Sequence, residues 1–342
     1  LFIFLIAGCG TPYKPVDVTG LVWPKPPTKT RVRMLKYITT DLDVRSLGAA
    51  EKLFGEDVTF AFGKPHGIAV DNEGNIFVTD TLLRIVVIIN QQKATIKFLG
   101  NPYGWSTPLG IAIDDKNRLI AVADATKSTV YLFDKDDFSL KRLIGQKGEL
   151  KNPIGVAFDP DRGILYVSDS KKHELMSFTL DGKFISTIAP TGTDVGQVYY
   201  PALIATDNEG KIYVVDTMNF RFQIFDPTGA PTRAYGEHGD RPGMFARPKG
   251  IAVTKDGYIL VTDAAFGNFQ IFDKDGNVYL AVGSPGTAFG AFNIPQGIAV
   301  DKKDVIYVVD QINRRIQIFQ LYTDEYYKSQ EQTGISNSTP PK

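Results

Sequence analysis

Pro295-Gln296-Gly297-Ile298-Ala299-Val300-Asp301, followed after four intervening residues by Ile306-Tyr307-Val308-Val309-Asp310, decides the fold of this chain because versions of it recur along the chain. The repeat prolines are Pro65, Pro108, Pro153, Pro201, Pro248 and Pro295, spaced 43 to 48 residues apart by subtraction. An alanine stands four residues after each: Ala69, Ala112, Ala157, Ala205, Ala252 and Ala299. The second phrase ends at Asp80, Asp124, Asp169, Asp216, Asp263 and Asp310. A repeat of this length with strand-like content predicts an all-β chain, a six-bladed β-propeller with one four-stranded antiparallel blade per copy.

The fourth copy shows how one blade is written. Leu203 to Thr206 and Lys211 to Val215 are apolar strand runs, joined by an Asp207-Asn208-Glu209-Gly210 turn. Arg221-Phe222-Gln223-Ile224-Phe225 alternates polar and apolar residues, and Thr232 to Tyr235 supplies the fourth strand. Small residues such as Gly67, Gly250 and Gly297 lead the first strand, where six strands crowd the axis. Phe133, Phe178, Phe225, Phe272 and Phe319 fill the third strand, where blades diverge. Phe62, Trp105, Leu150, Val198, Phe245 and Phe292 stand three residues before each proline, which makes Trp105 a packing residue between blades.

The last copy lacks a fourth strand after Phe319, and a spare strand, Arg31 to Ile38, precedes the first copy. The spare strand is expected to join the last blade and close the ring, which removes exposed sheet edges. The repeat resembles the NHL-repeat family over Arg31 to about Phe319. Pro295 to Asp301, Ile306 to Asp310, Asn313 and Arg315 to Phe319 carry the likeness. The resemblance implies a rigid recognition disc more often than an enzyme.

Composition bounds the function. Lys plus Arg equals Asp plus Glu at 38 each, so no basic field exists for nucleic acid. The single cysteine excludes an intramolecular disulfide. That residue ends Leu1-Phe2-Ile3-Phe4-Leu5-Ile6-Ala7-Gly8-Cys9, a run too short to span a bilayer. Ile6-Ala7-Gly8-Cys9 resembles a bacterial lipoprotein box, which implies acylation of Cys9 and, with Gly10 after it, outer-membrane sorting in a Gram-negative envelope, on the periplasmic or the outer side. The expected organisation is therefore residues 1–9 as leader and lipobox, 10–30 as a Pro-rich tether, 31–322 as propeller and 323–342 as a disordered tail. Leu21-Val22-Trp23 is expected to dock on the propeller wall. The Trp23-Pro24-Lys25-Pro26-Pro27 stretch is similar to NHL lipoproteins of anaerobic metal-reducing bacteria, implying partners in envelope or extracellular redox assemblies.

No nucleophile elbow, phosphate loop, dinucleotide fingerprint or zinc-protease motif occurs. The repeat aspartates obey the repeat and are read as turn caps. In the family resemblance, the amidating lyases place zinc-binding histidines just after the repeat proline. Here those positions are His66, Leu109, Ile154, Ala202, Lys249 and Gln296, and only His66 matches. One imidazole does not make a catalytic zinc site, so no metal or cofactor is expected. His173 and His238 fall in loops of the same face but on non-adjacent blades. The same six positions break the repeat: His66, Lys249 and Gln296 form a polar arc, and Leu109, Ile154 and Ala202 an apolar one. Loops 189–200, 236–247 and 283–294 add Tyr199, His238, Arg241 and Phe289. The sequence therefore points to a lipid-anchored binding propeller with its contact face there; the alternative is a metal-dependent hydrolase or lyase at the channel mouth.

Overall fold

Among the described residues six antiparallel sheets, five of four strands and one of five, surround one axis, each strand order running from the repeat proline outward. The computed structural model describes residues 15–45, 58–100, 104–145 and 148–332; Cys9 and the expected leader lie outside them. In every blade the first strand starts at the repeat proline and pairs that proline with the repeat aspartate ending the second, as in Pro65 with Asp80 and Pro295 with Asp310. The residue after the proline and the loop after the aspartate therefore open on one face of the disc. The turns between first and second strands open on the other.

Apolar packing sits between blades. Six buried clusters occur, one at each blade junction. Phe133, Phe178, Phe225, Phe272 and Phe319 are buried in them, as are the six residues three positions before each proline. Trp105 packs edge-on against Tyr131 and Phe133 of its own blade, with Phe77 and Val86 of the preceding blade in the same cluster. Toward the axis, space runs out. A Cβ on Gly67 would come within 2.2 Å of the Leu109 carbonyl oxygen of the next blade, and one on Gly110 within 2.2 Å of that of Ile154. Blade-to-blade approach at the inner strand is thus set by glycine.

The repeat aspartates are fully buried caps. Asp80 accepts hydrogen bonds from the backbone N–H groups of Gly63, Lys64, Leu82 and Leu83 at 2.7–3.0 Å. In blades four and six side chains take over: Asp216 binds Asn219 and Arg221, and Asp310 binds Asn313 and Arg315. Burial still pushes both carboxyls above the ordinary aspartate value, against the pull of these donors.

The ring closes as the sequence predicts. Strand Val32–Ile38 pairs with Arg315–Leu321 of the last blade, from Val32 opposite Leu321 to Ile38 opposite Ile316. Val22–Trp23 adds a fifth strand outside it, and Trp23 meets Phe319 edge-on at 5.8 Å. One expectation is corrected. The segment from Thr323 is not wholly disordered: Asp324–Gln332 forms a helix. Its polarity hides three anchors. Tyr327 is buried and donates its hydroxyl to the Thr30 carbonyl, Arg31 pairs with Asp324 at 2.6 Å, and Lys29 lies over the Tyr327 ring at 3.6 Å.

Candidate functional site

The channel mouth on the proline face holds two adjoining cavities of about 670 and 330 Å³ that share His66, Arg247, Lys249 and Gln296. Ile154 and Ala202 line the larger and Leu109 the smaller, so the structure gathers all six post-proline residues around one opening. Their positions follow from the fold. Each is the second residue of an inner strand, held by hydrogen bonds that link one blade to the next. Thr79 Oγ1 donates to the Leu109 carbonyl at 2.6 Å, and Thr262 Oγ1 to the Gln296 carbonyl at 2.7 Å. Gln311 Nε2 donates to the Pro65 carbonyl, and Thr217 Oγ1 to that of Pro248.

The mouth is cationic. Lys64, Arg247 and Lys249 line it, and among the described residues no carboxylate lines either cavity. Burial lowers the Lys249 pKa, and the neighbouring Arg247 lowers it further, while the buried Asp263 pulls the other way. His66 is half-buried and its Nδ1 is sealed from solvent, close to the Leu109 backbone. Burial first, then the Lys249 charge, push its pKa down to about 4. The imidazole is therefore neutral at physiological pH.

Beside Arg247 and Lys249, the larger cavity is lined by Tyr199, Tyr200, Leu203, Met218 and Phe220. Leu203 stands where the other five blades carry Gly67, Gly110, Gly155, Gly250 and Gly297, which enlarges the apolar wall. The loops carrying this wall are fixed. Gln223, buried in the third strand, accepts from Gly196 N and donates to the Gln197 carbonyl; Gln270 and Gln317 hold the equivalent loops of blades five and six.

Sequence reading missed Lys64, Arg247, Tyr200, Met218 and Phe220. Lys64, Tyr200 and Arg247 each precede a repeat proline, so the same alignment carried a second ring. The expected loop residues divide. Tyr199 lines the mouth; His173 is taken up by Tyr199 and Tyr200, with ring centres 4.6 and 4.2 Å away. His238 packs on Phe220 at 4.5 Å, and Phe289 stacks on Tyr37 at 4.2 Å. Arg241 lines neither cavity. Among the described residues no group of three or more His, Cys, Asp or Glu side chains is placed to hold a metal ion.

Family comparison bears on the same repeats. The NHL repeat model matches residues 62–81, the blade that supplies His66. The chain is an NHL-repeat six-bladed β-propeller. A 6-bladed beta-propeller family matches residues 245–337, and the SMP-30/gluconolactonase/LRE-like region matches 112–246. No curated protein matches the chain. Among solved structures, a protein of unknown function from Bacteroides thetaiotaomicron superposes with TM-score 0.63 at 17% identity, covering 83% of this chain and 75% of that one. Virginiamycin B lyase from Staphylococcus aureus gives 0.58 at 15%, covering 85% and 99%. A calcium-binding regucalcin from Agrobacterium tumefaciens gives 0.54 at 16%, covering 79% and 88%. At these identities the likeness is one of fold. The acidic or imidazole set that a divalent metal needs is not assembled by the described residues of this NHL propeller, so the mouth does not fit a metal centre.

Proposed function

We propose that this NHL propeller is a lipid-anchored envelope protein that binds, at its channel mouth, an anionic group attached to an apolar body. The observation that carries the reading is the pairing of Arg247 and Lys249 with an aromatic wall in the larger cavity, with Lys64 in the adjoining one, and no described carboxylate lining either. A ligand's negative charge meets Lys249 in a partly desolvated setting, and its apolar part meets Tyr199, Tyr200 and Phe220. Recognition is the activity we assign to the mouth. Cys9 supplies the anchor, and the outer membrane is the proposed location, with an envelope or extracellular protein as a candidate neighbour.

Calorimetric titration with alkyl and aryl carboxylates and phosphates tests the mouth. Lys249→Ala should weaken a binder by about 1–3 kcal/mol. Unchanged affinity in Lys249→Ala and Gln296→Ala would place binding elsewhere. Mass spectrometry of the membrane fraction tests the anchor: Cys9 should carry acyl chains, and residues 1–8 should be gone.

The second reading, a metal-dependent hydrolase or lyase, is favoured by the match to the SMP-30/gluconolactonase/LRE-like region and by the lyase among similar structures. Stoichiometric metal in the purified protein, lost in His66→Ala, would support it.

A further inference from the structure

The path of the chain into the last blade says which way the disc faces. Val32–Ile38 runs from the far face up to the mouth face, since Ile38 lies opposite Ile316, just after the loop that follows Asp310. Val22–Trp23 is antiparallel to it, so the residues preceding Val22 lie toward the mouth face. There they are fixed: Val18 is buried, and Val16 N donates to Tyr37 Oη at 3.0 Å. Tyr37 in turn stacks on Phe289 of a loop that enters the mouth. Pro15 stands six positions after Cys9, a reach of about 20 Å at full extension. The turns of the far face lie a whole strand away, roughly 20 Å down the wall. An anchor at Cys9 therefore holds the mouth face near the bilayer, and the reverse posture would need the tether stretched taut along the wall.

The two faces differ in chemistry in the same sense. Leu82, Leu83, Tyr199, Tyr200, Met218 and Ile312 are exposed on loops of the mouth face. Among the described residues the first-to-second-strand turns of the far face expose no large apolar side chain, while Phe184, Ile185 and Val278 are exposed where outer strands start at that rim. These turns carry charges of both signs instead, Glu73, Asp161 and Asp207 together with Lys116, Lys255 and Lys302. Scattered exposed apolar residues need no explanation, but a set gathered on the loops around a cationic opening marks an interaction surface. Tyrosines beside aliphatic tips suit a headgroup layer, and the cations suit its phosphates.

We propose that the mouth face of this propeller lies against an anionic membrane surface. Lys64, Arg247 and Lys249 meet a lipid phosphate at the channel, and Leu82, Tyr200, Met218 and Ile312 sit in the headgroup layer. The inference rests on the anchored-binder reading above and adds to it the orientation and the source of the anion.

The test couples the full chain through its one cysteine, Cys9, to a maleimide lipid in vesicles of phosphatidylglycerol or of phosphatidylcholine. Backbone hydrogen exchange is then followed. On phosphatidylglycerol, segments 81–84, 199–201, 217–220 and 311–314 should exchange roughly ten-fold more slowly than in the uncoupled chain, and 207–210 and 301–304 at the same rate. Leu82→Glu with Met218→Glu, both at exposed positions, should abolish the slowing while the chain stays coupled. Equal protection of both faces, protection of the far turns, persistence of the slowing in the double variant or on phosphatidylcholine, or no slowing at all would overturn the proposal. Finding Cys9 unacylated in cells would remove the anchor reading alone, since the coupled vesicles report the face's affinity independently.

Discussion

His66 shows how one side chain registers both the fold and the mouth. Its pKa falls to about 4 because burial penalises the charged ring and Lys249 and Lys64 repel it. Above pH 6.5 the ring is neutral folded and unfolded. As pH falls from 6.5 toward 4, the unfolded chain takes up the proton first, so stability is lost through that window. The loss from this group is about 3 kcal/mol at most. We expect His66→Gln to flatten the stability difference between pH 7 and pH 4, read from urea midpoints against the parent. An identical slope in both proteins would mean the ring is solvated. Gly110 gives a steric test of the same inner ring. Its Cβ would meet the Ile154 carbonyl oxygen at 2.2 Å, a backbone atom with no rotamer to change. Gly110→Ala should destabilise by more than about 2 kcal/mol, measured by thermal unfolding. The post-proline ring was legible because it breaks a repeat that is otherwise uniform. Lys64 and Arg247 escaped because solvent-facing loop positions vary freely, and a charge there gains meaning only when neighbouring blades set it beside Lys249.

The elements follow the alternation of residue types closely, and their ends do not. The strand Val32–Ile38 was legible from its missing partner after Phe319, an argument about edges more than propensity. The helix Asp324–Gln332 was not, because Asp-Glu-Tyr-Tyr-Lys-Ser-Gln-Glu-Gln is polar and its stability comes from Tyr327, Arg31 and Lys29 contacts absent from any local pattern. Under that helix lies Asp304, in a first-to-second-strand turn at φ 58°. Its Oδ1 is buried without a partner among the described residues. Burial raises its pKa to about 6; Lys255 offsets this, and Asp256, Asp301 and Glu325 add to it. The sign is opposite to that of His66: the penalty grows as pH rises from 4 through 6. Asp304→Asn keeps a residue that tolerates left-handed backbone and removes the buried charge. It should raise stability at pH 7.5 by about 1–3 kcal/mol and leave it unchanged at pH 3.5. A variant equally or less stable at pH 7.5 would show that water reaches Oδ1.

Closure is a property of the whole molecule, since no single blade contains it. Each junction buries one apolar cluster, and the junction of blades six and one draws Ile38 from the N-terminal strand together with Ile316, Ile318, Val309, Val78 and Ile76. The preceding junction draws Val32 and Met34 from the same strand. Seven residues thus serve two interfaces at once and satisfy the outer edge of Arg315–Leu321. Removing them leaves that edge unpaired and uncovers two clusters, while the other four junctions keep their contacts. A linear repeat array would lose one terminal unit and retain the rest. A closed ring loses the geometric constraint that holds all six blades, including the inner-strand carbonyls on which the mouth residues are mounted. We therefore expect deletion of residues 31–39 to do more than lower stability locally: the protein should aggregate, or should unfold with a broadened transition and early loss of ligand binding at Lys249. Size-exclusion chromatography with scanning calorimetry reads both. A monomeric product with the parent's melting temperature would show that the strand decorates the ring without closing it.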